Sequence, residues 1–160
     1  MSVCICGLSV LAGTLPARDA GRIIESDVRF TADHSTKFIH GKCLDVRVED
    51  FSADWTEGKP GLKRPFSVVV PIASMSTENK DLDSAMREVL GYPAHKEIRA
   101  RFRGAAIEGV NAVLTGDLEI AGKSRPLVVK GIVVDDGKSI LLTGSFSVRM
   151  SDYGMEPPRL

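Results

Sequence analysis

Apolar and polar residues alternate with a period of two along most of the stretch from Val110 to Met150. In V-N-A-V-L-T-G-D-L-E-I, Val110, Ala112, Leu114, Gly116, Leu118 and Ile120 share one parity. Asn111, Thr115, Asp117 and Glu119 hold the other, and only Val113 is out of place. The run I-L-L-T-G-S-F-S-V-R-M repeats the pattern: Ile140, Leu142, Gly144, Phe146, Val148 and Met150 alternate with Thr143, Ser145, Ser147 and Arg149. A period of two predicts strands with one dry and one wet face. At roughly 3.3 Å per residue each such strand runs about 35 Å, and strands of that length need partners on both edges. Between them, Ala121-Gly122-Lys123-Ser124 and Asp135-Asp136-Gly137-Lys138 read as four-residue loops. That pairs Ile120 with Arg125 and Val133 with Ile140, and turns Leu127, Val129, Gly131 and Val133 inward. Val128, Ile132 and Val134 are left outside, to be covered by another element or swapped inward by a bulge.

The remaining chain extends the same theme. Val28 to Ala32 alternates and predicts a first core strand after a polar lead-in over Arg18–Asp27. His34 to Thr36 reads as a turn, and Lys37 to Val48 as one strand or two joined at His40-Gly41. Asp50 to Arg64 is rich in turn residues and predicts an exposed connection, with Trp55 against the barrel. Phe66, Val68, Val70 and Ile72 share the face of a further strand. Only Ser76 to Pro93 changes period. Leu82, Met86, Val89 and Leu90 form one helical stripe, with Thr77 or Asn79 as the cap and Gly91-Tyr92-Pro93 as the stop. The predicted helix spans about Asn79–Leu90. Arg99, Arg101 and Arg103 share the wet face of a strand from Ile98. A loop at Gly104–Gly109 would set Arg99 opposite Asp117 and Arg101 opposite Thr115, as partial charge pairs.

The pattern describes an all-β chain: an extended antiparallel barrel with one amphipathic helix. In the register above, Gly116, Val129 and Gly144 lie side by side on the interior, with Gly131 diagonally near. Missing side chains there either open a cavity for a ligand or relieve strain where strands bend. The candidate lining is Phe66, Val68, Val70, Phe102, Leu114, Gly116, Leu118, Val129, Leu142, Gly144 and Phe146, with Tyr92 near a mouth.

Composition narrows the function. The 160 residues carry 21 basic and 21 acidic side chains, and this zero net charge argues against nucleic acid as a partner. No segment reaches the roughly 18 apolar residues of a membrane-spanning helix. Residues 1–20 are apolar and end in small residues, so they read as a signal peptide, whole or truncated at its start, with cleavage after Ala17 or Ala20, or as a first strand or tail. Residues 21–160 form the barrel domain. Cys4 and Cys6 lie in the leading segment and Cys43 stands alone, which implies no structural disulfide. His34, His40 and His95 are scattered, and no nucleophile, metal or phosphate-loop motif is present. No cofactor is indicated.

Several segments, in order, resemble the YceI-like family of polyisoprenoid- or lipid-binding proteins. They are His40-Gly41, F-S-V-V-V-P-I-A-S-M from Phe66, the helix D-L-D-S-A-M-R-E-V-L with Tyr92-Pro93, Ile98 to Phe102, L-T-G-D-L-E-I-A-G-K-S-R-P-L from Leu114, and S-D-Y-G-M from Ser151. The resemblance implies a lipocalin-like barrel around a long-chain apolar molecule, such as a polyisoprenoid, quinone or fatty-acid derivative. It also implies a bacterial periplasmic or secreted location, and a homodimer is compatible with it. The chain departs from the family in carrying Cys43 near where an aromatic is common. It also ends at Leu160, where relatives usually continue into another strand, so one seam of the barrel is expected to stay open. Three functions remain in play: a non-catalytic carrier, an enzyme using His95 or Tyr92 on a bound lipid or quinone, and an interaction protein with a filled barrel.

Overall fold

The computed structural model describes residues 2–13, 22–34, 37–56, 59–62, 64–135 and 139–156. The proposed cleavage positions Ala17 and Ala20, most of the His34–Thr36 turn, residues 136–138 and the last four residues lie outside these, as does the side chain of Trp55. Period-two segments form strands throughout, all paired antiparallel. They are β1 (Ser2–Gly13), β2 (Arg22–His34), β3 (Lys37–Cys43), β4 (Arg47–Glu49), β5 (Ala53–Thr56), β6 (Lys59–Leu62), β7 (Phe66–Pro71), β8 (Met75–Ser76), β9 (Glu97–Glu108), β10 (Asn111–Ile120), β11 (Lys123–Asp135) and β12 (Ser139–Arg149). Ten of them make one sheet in the order β4-β7-β9-β10-β11-β12-β1-β2-β3-β8, and β5 and β6 form a separate hairpin within the expected exposed connection.

The ladder does not close into a regular barrel, and its ends are β4 and β8. These ends are the continuations of β3 and β7. Where both chains turn the corner, the Leu44 amide donates to the Ser74 carbonyl at 2.9 Å. The break in the Lys37–Val48 strand therefore falls at Leu44–Val46, not at His40-Gly41. The seam expected open beside the last strand is elsewhere too: β12 is paired along its length with β1, which also pairs with β2. The residues read as a leader or a first strand occupy a strand position here. Strand β2 begins at Arg22, inside the expected polar lead-in.

The helix α1 covers Lys80–Val89. Asn79 caps it, its side-chain oxygen accepting from the amides of Asp81 (3.0 Å) and Leu82 (3.2 Å). Thr77, the other capping candidate, instead donates from its hydroxyl and its amide to the Asp83 carboxylate, both at 2.7 Å. Burial pushes the Asp83 carboxyl up, but these bonds and the nearby Arg87 charge outweigh it and hold the carboxyl below its ordinary range.

Three registers differ from the sequence reading. The β10–β11 connection is a two-residue turn, with Ala121 at φ 50° and Gly122 at φ 75°. Two positive φ values make it the turn type whose twist matches the flanking strands. Ile120 therefore faces Lys123, and Leu118 faces Arg125. Likewise Val133 pairs with Leu142 and Asp135 with Ile140. Both shifts are by two residues, so the buried parity survives: Leu127, Val129 and Val133 are buried as expected. The β9–β10 turn, Gly109-Val110, is also tighter than the expected Gly104–Gly109 loop. One bulge at Arg103 separates the Thr115–Gly104 pair from the Gly116–Phe102 pair. Arg101 thus faces Asp117, and Arg99 faces Glu119.

Val128, Ile132 and Val134 stay on the outer face, 53%, 45% and 49% exposed. No face-swapping bulge intervenes, since the β11 ladders are regular, and these three side chains stay uncovered among the described residues.

Candidate functional site

The inner faces of β2, β7, β9, β10 and β11 build one apolar cluster. Phe66, Val68 and Val70 enter it from β7, Phe102 from β9, Leu114 and Leu118 from β10, and Val129 from β11. Phe66 and Phe102 face each other across the ladder with ring centroids 5.2 Å apart, and Phe51 meets Phe66 edge-on at 5.3 Å. Leu142 and Phe146 on β12 pack against this cluster while remaining only partly buried, as does Val148. Ser52, Ser67 and Asp83 are the buried polar side chains among the described residues, and none belongs to this cluster. Tyr92 stands apart from the wall, 39% exposed in the turn between α1 and β9.

The glycines do not line up as the sequence suggested. Gly116 faces Leu127, Leu114 faces Val129, and Gly131 faces Gly144. A Cβ on Gly116 would overlap the Arg101 carbonyl, and one on Gly131 the Thr143 carbonyl. On Gly144 it would lie 2.7 Å from a Val129 methyl. The space between Ala112, Leu114, Val129, Gly131, Leu142 and Gly144 is too narrow for a water molecule. Of the two readings of these glycines, close approach of bent strands is the one their surroundings match. Gly116 sits opposite the Arg103 bulge, where the strand must bend most.

The wet faces are charge-paired. Arg99 bonds Glu49 and Glu97, each at 2.8 Å, and Arg47 reaches Glu97 at 3.1 Å. The Arg99 hydrogen bond holds the Glu49 carboxyl below its ordinary value. Arg103 pairs with Asp117. The arginine stripe is a solvated face whose charges are largely satisfied internally.

Sequence reasoning missed how three of the resemblance segments converge at one end of the sheet. The His95 ring lies against both Gly91, past the end of α1, and Gly122, in the β10–β11 turn. A Cβ on either would sit 2.9 Å from a ring carbon. The Lys123 side chain covers Gly154. Arg125 donates from Nε to the Asp152 carbonyl at 3.0 Å. Beside that bond opens a cleft of about 340 Å³ lined by Arg125, Pro126, Ser147, Val148, Asp152 and Tyr153. The sequence offered one signal for it: these residues fall mainly in the R-P and S-D-Y-G-M segments. No group of His, Cys, Asp or Glu suited to a metal ion occurs among the described residues. His40 bonds Thr31 across β2–β3 at 3.0 Å, far in sequence from His95.

Comparison with known proteins places this architecture. Residues 24–159 match the YceI-like domain. UPF0312 protein plu2095 of Photorhabdus laumondii is 28% identical over 94 residues, covering 56% of this chain and 48% of that protein. The match thus spans about half the length of that relative. The crystal structure of the Campylobacter jejuni YCEI protein superposes with a TM-score of 0.62 at 20% identity, over 89% of this chain and 83% of that one. A polyisoprenoid-binding domain from Saccharophagus degradans superposes at 0.58 with 10% identity, over 96% and 81%.

Proposed function

The chain belongs to the YceI-like family, and from that premise we propose that it binds a long-chain apolar molecule on the inner face of its sheet without transforming it. The observation that carries this reading is the row Leu142, Phe146 and Val148 on β12, which packs against the apolar cluster yet stays half-buried. A polyisoprenoid, quinone or fatty-acid chain laid along that row would complete its burial. Covering roughly 400 Å² of ligand at about 25 cal/mol/Å² gives about 10 kcal/mol before association costs. Micromolar affinity follows with little polar chemistry. The similarity to a polyisoprenoid-binding domain supports the same class of guest.

Native mass spectrometry of the purified protein, followed by titration with a long prenyl alcohol, tests the reading. A co-purifying lipid mass or saturable micromolar binding is expected. The absence of both overturns it.

A filled interior is the second reading, and the water-tight packing around Gly131 and Gly144 favours it. The same titration separates the two. We further propose a periplasmic or secreted location, supported by the apolar, uncharged run from Ser2 to Gly13. Use of that run as β1 competes with its use as a leader. The N-terminal sequence of the protein recovered from cells decides between them, with Arg18 or Gly21 as the new first residue if it is cleaved.

A further inference from the structure

The cleft beside the Arg125–Asp152 bond lies apart from the apolar interior and has its own chemistry. Its floor is the short 3-10 turn Met150–Tyr153, and its walls are the start of β11 and the end of β12. The bond from Arg125 Nε to the Asp152 carbonyl fixes the plane of the guanidinium. Arg125 also lines the cleft, and that single bond uses one of the five N–H donors its guanidinium carries. Tyr153 is only 4% exposed and its ring joins the core cluster. It also lines the cleft, where the phenol brings one O–H donor to an otherwise buried ring. Burial, reinforced by the Asp152 charge, pushes the phenol up, so it stays protonated and can donate at neutral pH.

One fixed guanidinium and one phenol, facing cleft walls of Pro126 and Val148, define what fits. The Asp152 carboxylate at the rim leaves the local charge weakly positive at most. That suits a single negative charge better than a phosphate dianion. The apolar walls suit a short hydrocarbon stem. We propose that this cleft binds a carboxylate carrying a short apolar stem, with the Arg125 guanidinium and the Tyr153 hydroxyl as its two donors. The site is separate from the apolar interior, and neither reading requires the other. The carboxylate belongs either to a free short-chain acid or to the head of a fatty acid whose tail reaches the interior.

Backbone amide shifts of the full chain, titrated with octanoate, octanol, palmitate and inorganic phosphate, test the proposal. Octanoate should give saturable shifts at Arg125, Asp152 and Tyr153. Octanol and phosphate should bind at least about tenfold more weakly, the scale of one charge-assisted hydrogen bond. Arg125→Gln should weaken octanoate about tenfold. Tyr153→Phe, which keeps the ring in the core, should weaken it several-fold and carries the test if Arg125→Gln melts. Palmitate shifts at both the cleft and Phe102 identify a lipid head, whereas cleft shifts from octanoate alone identify a free acid. Equal binding of octanoate and octanol overturns the proposal, as does wild-type octanoate affinity in Tyr153→Phe. Octanoate shifts confined to Phe102 and Leu118 also overturn it, while leaving the interior reading intact.

Discussion

The glycine-rich middle of β10–β12 and the Arg125–Tyr153 cleft reverse a common intuition about space. Glycine or alanine supplies half the lining of the first, yet it admits no water; no glycine lines the second, which opens to about 340 Å³. The difference is in the backbone. Where side chains are absent at Gly116, Gly131 and Gly144, neighbouring strands bring carbonyls and methyls into the vacated volume. Where β11 and β12 meet the final 3-10 turn, larger residues prop the chain segments apart. A glycine on a sheet's inner face is therefore a statement about strand approach before it is one about cavities.

Substitutions test this contrast at graded cost. Gly116→Ala should be the most damaging, because the new methyl meets the immovable Arg101 carbonyl. We expect a loss of about 3 kcal/mol, seen as a melting temperature lower by roughly 6–12 °C. Full wild-type stability would mean that the bulge relaxes and the space is real. Asp83→Asn probes a site held by polar bonds instead of close approach, and should cost about 2 kcal/mol at neutral pH. Because the folded carboxyl lies below its unfolded value of about 3.9, its contribution is present above that pH and lost as pH falls through the folded value. The gap between variant and parent in denaturant titrations should accordingly narrow as pH falls below the unfolded value. Gly144→Ala meets a Val129 methyl at 2.7 Å and the Lys130 carbonyl at 3.1 Å, a looser fit than at Gly116, and should cost about 1.5 kcal/mol. Ser147→Leu, filling the cleft, should change stability by no more than about 0.5 kcal/mol while reducing octanoate binding. A large destabilisation there would show that the cleft is tighter than its volume indicates.

Much of this fold is legible in the alternation of residues. Leu114, Leu118, Val129 and Val133 were all expected inside and all are buried. Parity survives any two-residue slip, so the correct faces emerged from the wrong pairing. Alternation could not supply the register itself. That depends on Ala121 adopting a left-handed conformation, which alanine disfavours and the local sequence does not advertise. Glycine alignment depends directly on register, so the expected row of Gly116, Val129 and Gly144 dissolved with it. The cleft was invisible for another reason. Arg125 and Asp152 are 27 residues apart and meet only because β11 and β12 pair antiparallel. The helix was legible from both its stripe and its stop. The choice of Asn79 over Thr77 as cap turned on Asp83, a buried carboxylate that claimed the threonine for itself.

The position of β1 bears on how the protein is handled. Its backbone supplies hydrogen bonds to β12 on one side and to β2 on the other. A cut after Ala17 or Ala20, whether made by a cell or by a cloning choice, removes a stave from the middle of the wall. Two long strands would then face solvent with unmet donors and acceptors, in the state that recruits a neighbour's backbone. Preparations that differ by those few residues should be treated as different molecules: one with β12 and β2 both bridged, the other adhesive along those two edges until something extended settles between them.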